Sequence, residues 1–414
     1  MIVRARLIAC AGALVRAGAL ACAGALVFVA ALAGVAALGL ASAVAAEPGV
    51  TATEIVIGCS TSLSGPLAFT GEQGTKFGID LFVKALADAG GIHGRKIRTI
   101  YYDDAYEPDR ALANTRTLVE RDHVFAIVAP LGTSPVAATL SYLESQRVPL
   151  VFPLQDSAAI RGRKDVIAGT MLADRQAQLM VDYLVGAGHG KRFGILYHAN
   201  AHGREWFAAL EKRLARHRLK FAAAESLQPG IVDVTAAVAR LRAAKPEFVF
   251  LAVTPVVAAQ ALKERMKIGW TDTAMVAAGP AADERYLGVA AGASDGVQAL
   301  SLWPEPQMTD LPALRLYRER IAKYFPKNEP NRYSLAGYFA AMLFAEGVQR
   351  AGPELTRETF MGALASLKDW DSGILPPLTI GRDHETQKQA FWVIVDKGRF
   401  KPVTGWLSSE EPAR

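Results

Sequence analysis

Residues that could bind a small polar molecule follow three short apolar segments in the first part of the chain. The run 60–74 is rich in Ser, Thr and Gly, and the runs Pro130–Pro135 and Pro153–Ser157 carry further hydroxyl, amide and carboxylate groups. Hydroxyl groups and backbone N–H groups in such loops can hold a carboxylate or amide oxygen without a cationic side chain. These residue types therefore predict a binding site that requires no covalent chemistry.

Other residues have the types needed for catalysis or metal binding, but their surroundings favour structural roles. Asp103 and Asp104 are adjacent carboxylates, yet Pro108 soon after them is typical of a helix start, so we expect them to shape a turn. His198 and His202 are four residues apart, but the sequence places them in a loop without a third metal ligand. The Ser-rich loops have no recognisable His partner of the kind that a serine hydrolase requires. We therefore expect no enzyme activity, no metal and no cofactor.

The charge of the chain argues against a nucleic-acid partner. The first 46 residues contain three Arg and no acid, so the remainder has 43 basic and 40 acidic side chains, a net charge of +3. That balance is too mild for a nucleic-acid surface. The remaining chain, about 370 residues, is long enough for two lobes that each have a core.

Residues 1–46 have the features of a cleaved signal peptide. Arg4, Arg6 and Arg16 supply a positive start, a long Ala-, Leu- and Val-rich run follows, and Val44, Ala45 and Ala46 are small residues suited to cleavage. We expect a cut after Ala46 and export to the periplasm. The apolar run is also long enough to span a bilayer, so an uncleaved anchor is the alternative.

The predicted strands and helices bring the polar loops to one edge of a sheet. From Glu54 the chain alternates between strands and helices, and near 170–173 the pattern of strand, polar loop and helix begins again. Such alternation predicts parallel sheets, in which ligands bind beyond the carboxyl ends of the strands. Two such regions predict two lobes, each with its own sheet.

The order of several motifs resembles a known family. The segments SLSGPLAFTGEQGTKFGIDL, GGIHGRKI and YYDDAYEPDRA follow one another from Ser62. This series is similar to the opening of the branched-chain amino-acid (leucine/isoleucine/valine-binding) type of periplasmic substrate-binding proteins of ABC transporters. The resemblance extends from about Glu54 to about Trp406.

The resemblance implies an α/β fold of the type I periplasmic binding protein. In that fold each lobe is a parallel sheet flanked by helices, and a hinge of about three crossovers joins the lobes. For this chain it implies lobe 1 at 53–170 plus 300–377, and lobe 2 at 171–299 plus 378–406.

The loop chemistry and the resemblance together give a set of expected ligand-binding residues at the strand ends of both lobes. These residues are Ser64, Phe69, Leu131, Gly132, Thr133, Ser134, Gln155, Asp156, Ser157, His202, Thr254, Pro280 and Asp283.

Three of these loops depart from the family pattern. Relatives carry small residues with a Thr or Ser where this chain has Gln155 and Asp156, and Asp156 would repel a ligand carboxylate but accept hydrogen bonds from an amide, an amine or a hydroxyl. Relatives carry an aromatic residue where this chain has His202. Where amino-acid-binding relatives have an acid that pairs with the ligand's ammonium group, this chain has Pro280 or Ala281.

These departures change the expected ligand. Asp283 or Glu284 would have to reach in from the next helix start to replace the missing acid. The expectation therefore moves from leucine-like amino acids toward amides, ureas or aromatic acids.

The function expected from these observations is capture of a small carboxylate- or amide-bearing ligand between two closing lobes. The resemblance implies that a monomer then delivers the ligand to an ABC transporter membrane permease. Two alternatives remain open at this stage, a ligand-sensing regulator of the amide-sensor type and, less favoured, a hydrolase.

Cleavage after Ala46 predicts one N-terminal residue for the exported protein. Sequencing of the protein recovered from outside the cytoplasm should begin at Glu47, because the small residues that precede it are the ones a signal peptidase accepts. A chain that keeps the apolar run after export would instead support the anchor.

Overall fold

The computed structural model describes residues 47–186, 190–228, 230–307 and 310–409. The predicted signal peptide lies outside the described residues. Within the described part, thirteen strands form two sheets, one of five strands and one of eight. Helices pack on both sheets, which confirms the predicted α/β fold.

The first lobe contains the five-stranded sheet, in which all neighbouring strands are parallel in the order β2-β1-β3-β4-β5. The strands are β1 (Glu54–Thr61), β2 (Lys96–Asp103), β3 (Ala126–Val128), β4 (Leu150–Val151) and β5 (Val166–Ile167). The helices between them are α1 (Phe77–Asp88), α2 (Pro108–Arg116) and α3 (Thr133–Ser145). β1 is apolar and buried along almost its whole length, as expected for a parallel strand that helices cover on both faces.

The second lobe contains the larger sheet, in the order β12-β11-β10-β9-β8-β6-β7, with β13 paired to β11. The strands are β6 (Phe193–His198), β7 (Phe221–Leu227), β8 (Phe248–Ala252), β9 (Ala274–Ala277), β10 (Gln298–Ser301), β11 (Gln389–Asp396), β12 (Arg399–Pro402) and β13 (Leu407–Ser408). The helices are α4 (Ala173–Gly186), α5 (Ala201–Arg216), α6 (Thr235–Ala243), α7 (Pro255–Lys267) and α8 (Glu284–Ala290).

The second sheet is mixed, whereas the sequence predicted a parallel sheet in each lobe. β11 runs antiparallel to both β10 and β12. Only Lys397 and Gly398 connect β11 to β12, and both have left-handed backbone angles, with φ of +51° and +70°. A two-residue turn of this kind joins only antiparallel strands, so the local turn chemistry sets the direction at this edge.

Three further helices come from the later part of the chain and complete the core of the first lobe. They are α9 (Pro312–Tyr324), α10 (Arg332–Ala351) and α11 (Arg357–Ala365). Phe339 of α10 lies 5.3 Å from Phe152, and Phe360 of α11 lies 5.3 Å from Phe125, measured between ring centroids. Among the described residues, no helix is both long and apolar enough to cross a membrane.

The chain passes between the lobes three times, after β5, after β10 and before β11. The resemblance placed the last crossing at residue 378. In the structure Leu378 and Ile380 are buried in the core of the first lobe, and Leu378 forms an isolated bridge with Trp370. The prediction therefore ended the first lobe too early, since the next strand of the second sheet begins at Gln389.

A buried carboxylate holds the crossovers together. The Glu385 side chain is 2% exposed and accepts hydrogen bonds from the guanidinium groups of Arg161 and Arg175. Arg161 comes from the first lobe, Arg175 from α4 in the second, and Glu385 from the third crossover. Asp174 lies 2.7 Å from Arg161 and extends the cluster. The hinge is therefore held by one buried carboxylate that bonds to two partly exposed guanidinium groups.

Replacing Glu385 with Gln should destabilise the protein by about 3 kcal/mol, because both guanidinium groups would lose their shared buried partner. Urea denaturation of the 47–414 chain measures the loss. Glu354→Gln is the matched control, since Glu354 is exposed and the same change there should leave the unfolding midpoint in place. Equal midpoints for the two variants would contradict a stabilising role for Glu385.

Candidate functional site

The loop after β1 is held to the turn after β2 by two adjacent carboxylates. Asp104 is buried and accepts hydrogen bonds from the hydroxyls of Ser60, at 2.9 Å, and Ser62, at 3.1 Å. Asp103 accepts from the Ser64 hydroxyl at 2.5 Å and from backbone N–H groups of the same loop. Both carboxylates are thus engaged in shaping the loop, which agrees with the structural role that the sequence favoured for them.

Two of the expected ligand-binding residues lie in exposed positions at this loop. Ser64 is exposed, and its hydroxyl already donates to Asp103. Phe69 is 39% exposed and is the first residue of a π-helical segment, Phe69–Lys76, that continues into α1. The polar loop is therefore shorter than the predicted run to Gly74. A role for either residue in ligand binding stays a prediction.

The loop after β3 ends at Gly132, and α3 begins within the predicted polar run 130–135, at Thr133. Gly132 precedes the helix with φ of +102°, and a Cβ atom there would lie 2.2 Å from the ring of Tyr106. Only glycine tolerates both that backbone angle and that close approach. Thr133 is buried and Ser134 half-buried in this turn, and neither side chain caps the helix.

Tyr106, from the turn after β2, lies next to the start of α3. The sequence did not identify it as a residue of the site. The ring of Tyr106 closely approaches Gly132, the residue that precedes α3. Burial, and then the charge of Asp156, raises the pKa of Tyr106 to about 12, so the phenol stays neutral and keeps its O–H as a donor. Its backbone lies in the left-handed region, with φ of +68°, which aims a residue of the β2 turn at the β3 loop. No residue type or spacing in the sequence indicated that direction.

The loops after β3 and β4 lie side by side. Leu131 is buried and pairs with Leu154 in a parallel bridge. In the second loop, Gln155 Oε1 accepts from the backbone N–H of Ser157 at 2.7 Å, and Ser157 Oγ accepts from the N–H of Ala159 at 3.2 Å. The Gln155 and Ser157 side chains therefore form hydrogen bonds within their own loop. The Asp156 side chain, between them, points out of this loop.

Asp156 links the two lobes. Its Oδ1 lies 3.1 Å from Nδ1 of His202, and its Oδ2 accepts a hydrogen bond from Nε1 of Trp206 at 2.8 Å. Both partners are on α5 of the second lobe, and Trp206 is fully buried. The side chains of Asp156 and His202 are each only 13% exposed. The sequence predicted Asp156 and His202 as separate ligand-binding residues, and the structure shows that they contact each other.

His202 reaches this position because α5 begins earlier than predicted. The sequence placed His202 in a loop, but α5 begins at Ala201 and includes it. Asn200 caps the helix by accepting from the N–H of Gly203 at 2.9 Å. A Cβ atom on Gly203 would lie 2.1 Å from the carbonyl oxygen of His198, so glycine allows the tight entry that places His202 in the first turn.

The pKa values of the pair move in opposite directions. Burial by itself lowers the pKa of His202, but the charge and hydrogen bond of Asp156, together with the charge of Glu205, outweigh burial and raise it. Burial by itself raises the pKa of Asp156, but the charge of His202 and hydrogen bonds from His202 and Trp206 lower it overall. Between these two values the pair consists of an aspartate and an imidazolium.

A neutral histidine at the end of β6, His198, forms a hydrogen bond with the loop after β8. His198 Nε2 accepts from the backbone N–H of Thr254 at 3.0 Å, and burial lowers the pKa of His198. Thr254 is exposed and directly precedes α7. His198 and His202 therefore bond to different protein groups, and no cluster of three or more metal-ligating side chains occurs in the part of the chain that the structure describes.

The loop after β9 contacts the first lobe through an arginine. Arg332, at the start of α10, donates to the carbonyl oxygen of Ala282 at 2.9 Å, and its guanidinium lies 5.1 Å from the ring of Phe400. Asp283 is 1% exposed in this loop. Pro280 lies in a short 3-10 turn, and its side chain lies outside the described residues. The acid predicted to pair with a ligand ammonium group is therefore buried next to a contact between the lobes.

The structure brings one group of the expected residues together at the carboxyl ends of both sheets. Gly132 meets the ring of Tyr106 there, Leu131 pairs with Leu154, and Asp156 meets His202. The site contains hydroxyl, amide and carboxylate groups and one imidazole, which are groups suited to hydrogen bonding with a small molecule.

Comparison with protein families identifies the kind of protein that has this arrangement. A family model described as "Periplasmic binding protein" matches residues 54–399. A "Leu/Ile/Val-binding protein homolog 3" from Brucella melitensis is 27% identical over 199 residues, 48% of this chain and 54% of the relative. The match thus spans about half the length of that relative.

Two further proteins are similar over a larger share of the chain. An "Amino acid binding protein" from Pseudomonas aeruginosa is 24% identical over 303 residues, 72% of this chain and 79% of the relative. The crystal structure of a substrate-binding periplasmic protein from Ralstonia solanacearum superposes with a TM-score of 0.75 and 27% identity, and covers 83% of this chain and 98% of that one. These findings confirm the resemblance inferred from the motifs.

The opposite pKa shifts of Asp156 and His202 predict how pH changes stability. A raised histidine pKa stabilises the fold fully below the ordinary value of 6.5, and the effect is lost as pH rises through the raised value. A lowered aspartate pKa stabilises it above the ordinary value of 3.8, and the effect is lost as pH falls through the lowered value. The pair should therefore contribute most between pH 3.8 and 6.5.

Asp156→Asn tests this dependence, because it removes the charge and keeps the shape. At pH 5 to 6 the variant should be about 3 kcal/mol less stable than the parent chain, and the difference should shrink on either side of that range. Urea denaturation of both proteins across pH measures it, and other titrating groups cancel in the difference. A difference that stays constant from pH 4 to 9 would contradict an ion pair.

Proposed function

The chain belongs to the periplasmic binding protein family, and from that premise we propose that it captures a small solute in the periplasm and delivers it to an ABC import permease. The solute carries a carboxylate or amide group and binds between the two lobes. The protein acts as a monomer, releases the solute unchanged and performs no covalent chemistry on it.

The observation that carries this proposal is the contact between Asp156 and His202 across the lobes. Each residue follows the carboxyl end of a strand in its own sheet, which is where ligands bind in open α/β sheets. A molecule held at this point can therefore contact both lobes at once. Such a molecule binds the closed arrangement better than the open one, which is the condition for driving closure.

The crossovers supply the hinge for this closure. The strands and helices of each lobe pack into their own cores, so relative motion falls on the three connecting segments near Glu385. Opening the lobes would break Asp156–His202, and would also break the bond from the Ala158 N–H to Glu205, 2.6 Å long, and the one from Arg332 to Ala282. These contacts favour the closed form, and a bound solute adds to them.

The names of the relatives support an amino-acid-like solute, while two residues of this chain favour a wider range. The relatives from Brucella melitensis and Pseudomonas aeruginosa carry names that refer to Leu/Ile/Val and to amino acids. In this chain Asp156 and His202 already occupy the centre of the site with a charged pair. Amides, ureas and aromatic acids therefore stand beside amino acids as candidate solutes.

Thermal unfolding of the 47–414 chain in the presence of amino acids, short amides, ureas and aromatic acids tests the proposed function. A solute present at a hundredfold excess over its dissociation constant adds about 2.7 kcal/mol to the free energy of unfolding, which raises the melting temperature clearly. Mass spectrometry of the solute released from the protein should show that its mass is unchanged. The Glu354→Gln control should respond like the parent chain, because Glu354 is an exposed residue of the first lobe.

Two outcomes would contradict the proposal. Consumption of the stabilising compound would make the protein an enzyme. Absence of any shift across these compound classes would mean that the site does not bind small carboxylates, amides or amino acids.

A further inference from the structure

One nitrogen of the interlobe pair has no hydrogen-bond partner. His202 Nδ1 faces Asp156, but Nε2 on the other side of the ring is shielded from solvent and has no partner among the residues that the structure describes. A buried polar atom without a partner costs about 1 to 3 kcal/mol, and more if its group is charged. An atom left in this state at the meeting point of two lobes therefore indicates where a ligand atom would sit.

The chemical character of Nε2 follows from its neighbours. Asp156 is buried and receives two N–H donors, an environment that stabilises a carboxylate. A buried carboxylate requires a cation in contact with it, and among the described side chains that contact Asp156 only His202 can supply one. Nδ1 then donates to Asp156, and Nε2 carries the second proton. Nε2–H is therefore a charge-assisted donor.

The other titratable groups that face the pair act in the same direction. Glu205, on α5, adds negative charge near His202 and accepts the Ala158 N–H. His198 accepts through Nε2, which leaves it neutral, and the Tyr106 phenol faces Asp156 in its neutral form. No group in this set competes with His202 for the positive charge.

We propose that the solute binds through a carboxylate or carbonyl oxygen that accepts a hydrogen bond from His202 Nε2, and that it needs no ammonium group. An ammonium group placed at the same point would meet an imidazolium of like charge, while both oxygens of Asp156 already accept hydrogen bonds. Because the Asp156–His202 pair is neutral as a whole, Asp156 does not exclude a ligand carboxylate. This inference rests on the proposed function and specifies the solute class of the same site.

Matched probes that differ only in the nitrogen test the inference. Isothermal titration at pH 6 compares phenylalanine with 3-phenylpropanoate, and leucine with 4-methylpentanoate, using the 47–414 chain. In each pair the acid without the ammonium group should bind more tightly, by about tenfold, as expected when one unfavourable charge contact is removed. 3-Phenylpropanamide should bind as well, and phenethylamine, which lacks the oxygen acceptor, should not.

A variant at His202 separates binding from packing. His202→Gln keeps an N–H donor but removes the positive charge. The variant should therefore bind 3-phenylpropanoate about tenfold more weakly than the parent chain does, and its affinity for 3-phenylpropanamide should fall by less. His217→Gln is the matched control, because His217 forms a similar pair with Asp182, 2.7 Å long, between α5 and α4. That variant should bind both probes like the parent chain. Circular dichroism confirms that each variant is folded, and the comparison of probes on the parent chain does not depend on either variant.

Three outcomes would overturn the inference, and they separate it from the proposed function. Tighter binding of the amino acids than of their deaminated partners would refute the solute class while leaving a solute-binding protein. An equal loss of affinity for acid and amide in His202→Gln would assign His202 to packing alone. Failure of every probe to bind would remove the proposed function as well.

Discussion

The buried charge of Asp156 is the constraint on which the site depends. A carboxylate that has left water must be met by donors and by a positive charge, and in this chain both come from α5 of the opposite lobe, through Trp206 and His202. The contact between the lobes therefore also compensates the buried charge of Asp156.

The same physical rule operates at the hinge. Glu385 is buried between Arg161 and Arg175, so the segments that must bend are tied by charges whose loss is costly. Rigid cores on both sides restrict motion to these segments. One buried acid, Asp156, thus lies in the site and bonds to groups of the opposite lobe, and another, Glu385, lies at the hinge and bonds to an arginine from each lobe.

Several features of the site could not be read from residue types. Tyr106 enters it because a left-handed turn aims the ring at Gly132, and such a direction depends on backbone angles that the turn residues do not specify by their type. The early start of α5 moved His202 from a predicted loop into a helix. Asp156 and His202 were both expected to contact a ligand, but their bond to each other joins residues 46 positions apart, and no local pattern reports such a distance.

By itself, the sequence determined the alternation of strands and helices, the two lobes and the loops that carry the polar groups, because periodicity and turn chemistry are local properties of the chain. It also predicted which residues contact a ligand at the strand ends, and that role stays a prediction. Only the tertiary structure decided which of these polar side chains bond to other protein groups and where the last crossover falls. It also decided that His202 Nε2 is among the buried atoms that lack a hydrogen-bond partner in the described part of the chain. Those outcomes follow from packing and from the compensation of buried charge, both of which arise between distant parts of the chain.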